Sequence, residues 1–315
     1  MPRTKLILGL SICLSAASVS QGQVQTNRTG PTPLPVVEQW KEGPEVLLAE
    51  SVAPLQPMWT VNLKSLAHSS TPPAEFGWAA GIALTDRVAV VSYCPASIKC
   101  KTGQLLSLDL KTGRLLTSAE FHRKAEDSIF YISGETERTV LVYDQTLLVE
   151  YDEALKPIHD LTIPRGMWLA EQPGYGYAYW ADRTKTKCKG TQFSVYRLNE
   201  KRNLIVGCSH EVGVTDEGWQ PLFSERYFDA NGVGLPDFSQ DGRRFILKLT
   251  LNYKGDPPAS TVVSYLLYDL RGKSPRRIVF STEGNATSMV TGLSPDGTTL
   301  GVIHGDRISA YTLPK

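Results

Sequence analysis

Hydrolysis of a glycosidic bond needs two carboxylates facing one another across a pocket. Four acids of this sequence, Asp127, Glu171, Asp237 and Glu283, stand at or just before short apolar runs that could line such a pocket. Nothing in their spacing along the chain pairs any two of them, and each fits a loop or turn equally well. The five histidines, His68, His122, His159, His210 and His304, fall at no spacing that metal ligation uses, and none accompanies a cysteine pair in a zinc pattern. They read as loop and surface residues. Asp229, Asn231 and Asp237 match positions 1, 3 and 9 of a calcium loop with Gly234 at 6. Val233 and Gln240 remove the oxygens that positions 5 and 12 would supply, so a glycine-rich connection is the better reading. A nucleophile elbow around Ser294 would need glycine at 296. Asp296 stands there, and a turn accounts for the serine.

The elements that must position these residues are short strands. In Ser107-Leu108-Asp109-Leu110-Lys111-Thr112-Gly113-Arg114, a nearly continuous apolar run reaches a turn at which Gly113 supplies positive φ, and the chain returns antiparallel over 114–118. The strand position of Leu108 recurs at Tyr151, Tyr196, Tyr268 and Tyr311, at successive steps of 43, 45, 72 and 43 residues. A period in the low forties with four strands per unit is one β-propeller blade. A second register agrees: Phe238-Ser239-Gln240-Asp241-Gly242 and Leu293-Ser294-Pro295-Asp296-Gly297 are one turn written twice, each ahead of an apolar strand.

The expected fold is therefore an all-β propeller, with units at 78–121, 129–163, 167–210, 234–280 and 289–313. The long third step, from residues 211–233, is either an inserted loop or part of a sixth unit, and five is favoured over six. The last unit lacks an outer strand, and the alternating segment Trp59-Thr60-Val61-Asn62-Leu63 is left over at the other end, so the amino terminus is expected to complete it and close the ring.

The 107–114 segment resembles the repeat of quinoprotein-type propellers, Ala-x-Asp-x-x-Thr-Gly-Lys followed by Trp, with Ser107 in place of the alanine and Thr117 where the tryptophan should be. The turns at 239–242 and 294–297 are similar to the Ser-Pro-Asp-Gly turns of YVTN-type and WD-repeat propellers. Together they cover about a third of the mature chain, and the resemblance implies architecture. One degenerate copy does not build a quinone site, and no cofactor is expected.

Residues 1–22 read as an export signal: Arg3 and Lys5 precede an apolar run of about 14 residues, too short for a bilayer core that needs about 20. Ile12 is too large to precede a lipidated cysteine at Cys13. Residues 23–56 are proline-rich and read as an extended linker, leaving 57–315 as the propeller domain. The four cysteines of the mature chain suggest two disulfides in an exported protein. Of three pairings, closeness along the chain favours Cys94 with Cys100 and Cys188 with Cys208, each worth about 2 to 3 kcal/mol.

Propeller connections alternate between two ends. Those between second and third strands, and between one unit and the next, would carry Lys99, Lys101, Arg123, Lys124, Arg165, Arg183, Lys185, Lys187 and Lys189. The other end would carry Asp86, Glu135, Glu137, Glu200, Asp241 and Asp296. Net charge is only +1, so one basic and one acidic face are expected. Solvated loops explain such lysines blandly. The sharper reading is an exported, periplasmic or extracellular binding or scaffold module whose basic face takes an anionic partner: a protein, a glycan or a small ligand. Nucleic acid is excluded by the near-neutral charge. The alternative is a propeller hydrolase, glycosidase or lactonase, with acids in an axial pocket.

Overall fold

The computed structural model describes residues 45–46, 54–66, 81–93, 102–122, 131–134, 137–143, 147–162, 171–172, 176–180, 193–199, 202–207, 211–216, 220–227, 230–233, 236–251, 262–272, 275–282 and 289–315. Apart from one helical turn at Leu63–Leu66, the regular structure there is β, in five sheets.

The first sheet runs Gly81–Leu84, Val88–Tyr93, Thr102–Asp109, Leu115–His122, and the second Tyr131–Gly134, Thr139–Tyr143, Leu147–Asp152, Pro157–Thr162. Both are antiparallel meanders whose spatial order equals chain order, and the third sheet begins in the same way with Glu171–Gln172, Gly176–Trp180, Phe193–Asn199 and Arg202–Gly207. In the fourth, two short strands, Ala230–Val233 and Asp237–Phe238, share the edge of Arg244–Leu251, followed by Val262–Asp269 and Arg276–Phe280. The fifth is Met289–Leu293, Thr299–His304 and Arg307–Thr312, with Trp59–Asn62 as its outer strand. First strands are innermost: Gly81–Leu84 packs between Met289–Leu293 and Tyr131–Gly134, and Asp237–Phe238 packs on Met289–Leu293. This arrangement is a β-propeller. Leu108, Tyr151, Tyr196, Tyr268 and Tyr311 all lie on the third strand of their sheets.

Burial follows radius. Val88–Tyr93, a second strand, is buried at every residue because both of its faces meet other sheets, whereas the outer Leu115–His122 alternates between half-buried and exposed over most of its length. The core is accordingly divided into layers between sheets. Ile246, Tyr265 and Leu267 meet Leu293, Leu300 and Tyr311 between the fourth and fifth. Ile82, Leu84, Val91 and Leu106 meet Ile303 and Ile308 between the fifth and first, and Val90 and Leu105 meet Val142 and Val149 between the first and second. Each such side chain contributes about 1.5 to 3 kcal/mol by leaving water.

Two expectations need correction. The stretch 211–233, read as an inserted loop or part of a sixth unit, contains strands that join its neighbours: Glu211–Asp216 and Pro221–Tyr227 extend the third sheet outward beyond Arg202–Gly207, and Ala230–Val233 joins the fourth. The extension leans on its neighbour, with Phe223 stacked on Tyr268 and Glu225 accepting from the Tyr268 hydroxyl and pairing with Arg277. Second, the amino-terminal strand ends at Asn62. Leu63 begins the helical turn, fully buried, its N–H bonded to the Asp306 carbonyl. Within the stretch read as linker, Glu45–Val46 lies parallel to Arg226–Tyr227, and Pro54 bridges to Ser281.

Trp59 ties the fifth sheet to the first. Its indole Nε1 donates to the Leu110 carbonyl at 2.8 Å, and its ring lies on Gly113, where φ is +72° and a Cβ would come within 2.6 Å of it. Ser107, where the repeat has alanine, donates to the Glu153 carbonyl of the second sheet.

Candidate functional site

Two short strands of the fourth sheet pair with Arg244–Leu251: Val233 lies opposite Leu249 and Asp237 opposite Ile246. Asp237, Ile246, Lys248 and Tyr265 share one face of the sheet by register, the face turned to the fifth sheet.

On that face Thr291, from the innermost strand of the fifth sheet, donates to Asp237 Oδ2 at 2.5 Å. Asp237 Oδ1 takes no hydrogen bond among the described residues, although the residue keeps some accessible surface at the axis. Burial pushes the Asp237 pKa up to about 6, against the Thr291 hydrogen bond and the charge of Lys248. Burial likewise pulls the Lys248 ammonium down, with Asp237 opposing. Behind them burial raises Tyr265, opposed by a hydrogen bond with Thr282. A carboxyl that changes state near neutrality beside a half-buried ammonium can exchange a proton or hold a polar group.

One end of the sheets is built from turns. Ser239 Oγ donates to Asp241 Oδ1 and accepts the Arg244 N–H, and Ser294 Oγ donates to Asp296 Oδ1 and accepts the N–H groups of Thr298 and Thr299. Gly242 and Gly297 take φ of +61° and +70°. Against its burial, hydrogen bonds from Ser294 and Thr298 hold the Asp296 pKa below the usual range. This accounts for Ser294 as a turn residue. Thr85 plays the same part in the first sheet, its Oγ1 accepting from the N–H groups of Arg87 and Val88. Asp86, Glu137, Asp241 and Asp296 lie at this end as expected, and Asp86 is raised by burial, then by Glu137, Asp296 and Glu153. The expected acidic face is nevertheless mixed, since Arg87, Arg138 and Arg243 occupy the same turns.

Arg244 is buried between the fourth and fifth sheets. Its guanidinium donates to the Gly297 and Pro314 carbonyls, and its Nε lies 3.5 Å from Asp269 Oδ2. Burial lowers its pKa, while the Arg271 hydrogen bond lowers that of Asp269.

Of the residues singled out from sequence, Asp237 is the one whose side chain is placed at the axis. Glu171 is described in its backbone, on the innermost strand of the third sheet. Asp127 and Glu283 lie outside the described residues, as do Lys99, Lys101, Arg123, Lys124, Arg165, Arg183, Lys185, Lys187, Lys189 and the cysteines Cys94, Cys100, Cys188 and Cys208. His122 and His159 are exposed on outer strands, and no cluster of three or more metal-ligating side chains occurs among the described residues. No helix among them is long and apolar enough to cross a membrane.

No protein-family model matches the sequence, and no curated protein matches it either. Among solved structures it is similar to a chain of the mitotic checkpoint complex, with a TM-score of 0.45 and 8% identity over 86% of this chain and 100% of that one. The Neurospora crassa Pan2 WD40 domain gives 0.41 and 8%, over 82% and 95%. The C-terminal WD40 domain of Sif2 gives 0.35 and 10%, over 84% and 100%. The propeller assignment rests on the chain's own sheets.

Lys248 and Thr291 were not distinguished by sequence. Lys248 sits inside an apolar alternation, where it reads as a solvent-side residue, and Thr291 reaches Asp237 from another sheet.

Proposed function

We propose that this chain is an exported propeller, five-bladed and closed by Trp59–Asn62, that acts as a binding or scaffold module. Its binding surface is the end carrying the connections between second and third strands and between consecutive sheets. The observation that supports this is strand direction. Tyr93 leads out to 94–101 and Thr102 leads back, His122 leads to 123–130, Thr162 to 163–170, and Trp180 to 181–192. In a meander around one axis these departures share an end. Segments 94–101, 123–130, 163–170 and 181–192 contain nine lysines and arginines and three acids, Glu126, Asp127 and Asp182. Such loops attract an anionic protein surface, glycan or small ligand, and Cys94 and Cys100 lie within the first of them and Cys188 within the last.

The test is retention of the mature chain on a sulfated matrix. Wild type is retained at low salt and released as salt screens the charges; the triple variant K185E/K187E/K189E runs through. Equal retention of the two removes the surface assignment. The raised carboxyl of Asp237 favours a second reading, an axial hydrolase. That reading predicts turnover of aryl glycosides or lactones that Asp237→Asn abolishes, and absence of turnover across such a panel disposes of it.

A further inference from the structure

The chain ahead of the first sheet touches the outer rims of the sheets in order around the propeller. Glu45–Val46 pairs with Arg226–Tyr227 on the outermost strand of the third sheet. Pro54 bridges to Ser281, just past the outermost strand of the fourth, and the Leu55 N–H donates to the Ser281 carbonyl. Leu55 also packs on the apolar layer between the fourth and fifth sheets. Trp59–Asn62 is the outermost strand of the fifth, and Trp59 reaches the Leu110 carbonyl of the first. Third, fourth, fifth and first are bound in succession, and none of these bonds reaches the second.

The second rim is also the barer one. Pro157, Ile158 and His159 of its outermost strand are exposed in succession, whereas the corresponding strand of the fourth sheet, beside Pro54 and Leu55, runs from an exposed Arg276 to a buried Phe280. Tyr151 pairs with Pro157 and Glu150 with His159, so Ile158 is the extra residue of a bulge, its apolar side chain 45% exposed. An outer edge left this way invites a covering segment. In order around the propeller the rim before the third is the second, and the chain before Glu45 is the chain that continues the series. Nine residues separate Val46 from Leu55, the step from the third rim to the fourth, about 30 Å at full extension. The same step taken backward from Val46 ends at Val37, within Leu34-Pro35-Val36-Val37-Glu38-Gln39-Trp40, where Leu34, Val36, Val37 and Trp40 are large and apolar. The prolines at 31, 33 and 35 restrict the free chain, so less conformational entropy is lost on docking.

We propose that residues 34–40, read from sequence as linker, dock on the outermost strand of the second sheet and continue the strap around the propeller, with Val36 and Val37 against Ile158. The tether at Glu45 gives this segment an effective concentration that a separate partner lacks. The folded unit then begins near residue 34 rather than 57, and whatever precedes it is held at the second rim instead of on a free spacer. The basic loops take no part.

The experiment uses the full mature chain with a benzophenone amino acid in place of Ile158. Irradiation is expected to join position 158 to the peptide containing 34–40 within a single chain, read by mass spectrometry of the monomer. In hydrogen exchange, V36D/V37D should accelerate the amides of 158–162 by about tenfold and leave those of Trp59–Asn62 unchanged. K185E/K187E/K189E should alter neither readout, so failure of the loop surface and failure of this strap are separate results. A crosslink found only between two copies would mean that a second copy covers this rim. That outcome, no crosslink to 34–40, exchange at 158–162 indifferent to V36D/V37D, or equal acceleration at Trp59–Asn62 each overturns the proposal.

Discussion

The two ends of the propeller are made differently. At one end, short turns bond their own backbone: Thr85, Ser239 and Ser294 each cap the start of a second strand. The third strand is then tied to the same turn, the N–H groups of Leu110, Leu270 and Leu313 donating to the carbonyls of Arg87, Arg243 and Thr298. Neighbouring turns are joined as well, Asp86 N–H to the Glu137 carbonyl and Gln240 N–H to the Pro295 carbonyl. At the other end the connections 94–101 and 181–192 run to eight and twelve residues rich in lysine. The first end specifies the fold by local chemistry repeated from sheet to sheet. On the proposed reading the second end is the place where recognition varies.

If the turn end is the frame, its most connected side chain should matter most. Arg244→Met leaves the Gly297 and Pro314 carbonyls without their donor and Asp269 with Arg271 alone. The expected loss is about 3 to 5 kcal/mol in denaturant unfolding. Arg244→Lys, a point charge that cannot serve both carbonyls, should fall between. Next come two glycines that separate packing from backbone. Gly113→Ala meets both the positive φ and the Trp59 ring and should cost about 2 to 4 kcal/mol. Gly305, at φ +60°, has open space around its missing Cβ, so Gly305→Ala should cost about 1 kcal/mol. Equal losses at the two positions would show that Trp59 does not press on the 109–114 turn.

Asp237 gives a pH signature distinct from the turn acids. Its folded pKa of about 6 lies above the usual carboxyl value, so its stabilising contribution is full below about pH 4 and is lost as pH rises through about 6. Relative to Asp237→Asn, wild type should therefore lose up to about 3 kcal/mol between about pH 4 and about pH 7. Asp269, held low by Arg271, has the opposite sign: its contribution is present above about pH 4 and disappears as pH falls through its lowered value. Unfolding curves of the Asp237 pair that run parallel across pH would contradict the raised carboxyl.

What sequence revealed and concealed follows the same division. The third-strand residues and the Ser-x-Asp-Gly turns were legible because each is fixed by neighbours within a few positions. The Thr85 turn does the same work without the glycine and was not. Residues 211–227 alternate as any outer strand does, so nothing local says that they add to the third sheet rather than begin another. Trp59 could be read as a strand residue, but its seat on Gly113 lies far along the chain and in another sheet. The hydrogen bond between Thr291 and Asp237 joins two sheets, and only the packing of their first strands brings the two residues together.

The turns offer a finer test. Ser239→Ala and Ser294→Ala each remove a hydroxyl that donates once and accepts at the start of a second strand. Each should cost about 1 to 2 kcal/mol. Because the two turns are copies, the losses should agree within about 0.5 kcal/mol and add in the double variant, apart from coupling through the Gln240 to Pro295 bond.

The smallest expected effect is at the other end. K185E/K187E/K189E alters three charges in a connection that the propeller reading assigns to recognition, so its unfolding free energy should stay within about 0.5 kcal/mol per substitution of wild type, even as retention on the sulfated matrix is lost. The two readouts together decide the matter. Lost retention with unchanged stability places those lysines on a surface that the frame does not use, whereas a stability loss comparable to that of Ser294→Ala would mean that this end is frame as well and that the contrast between the ends is false.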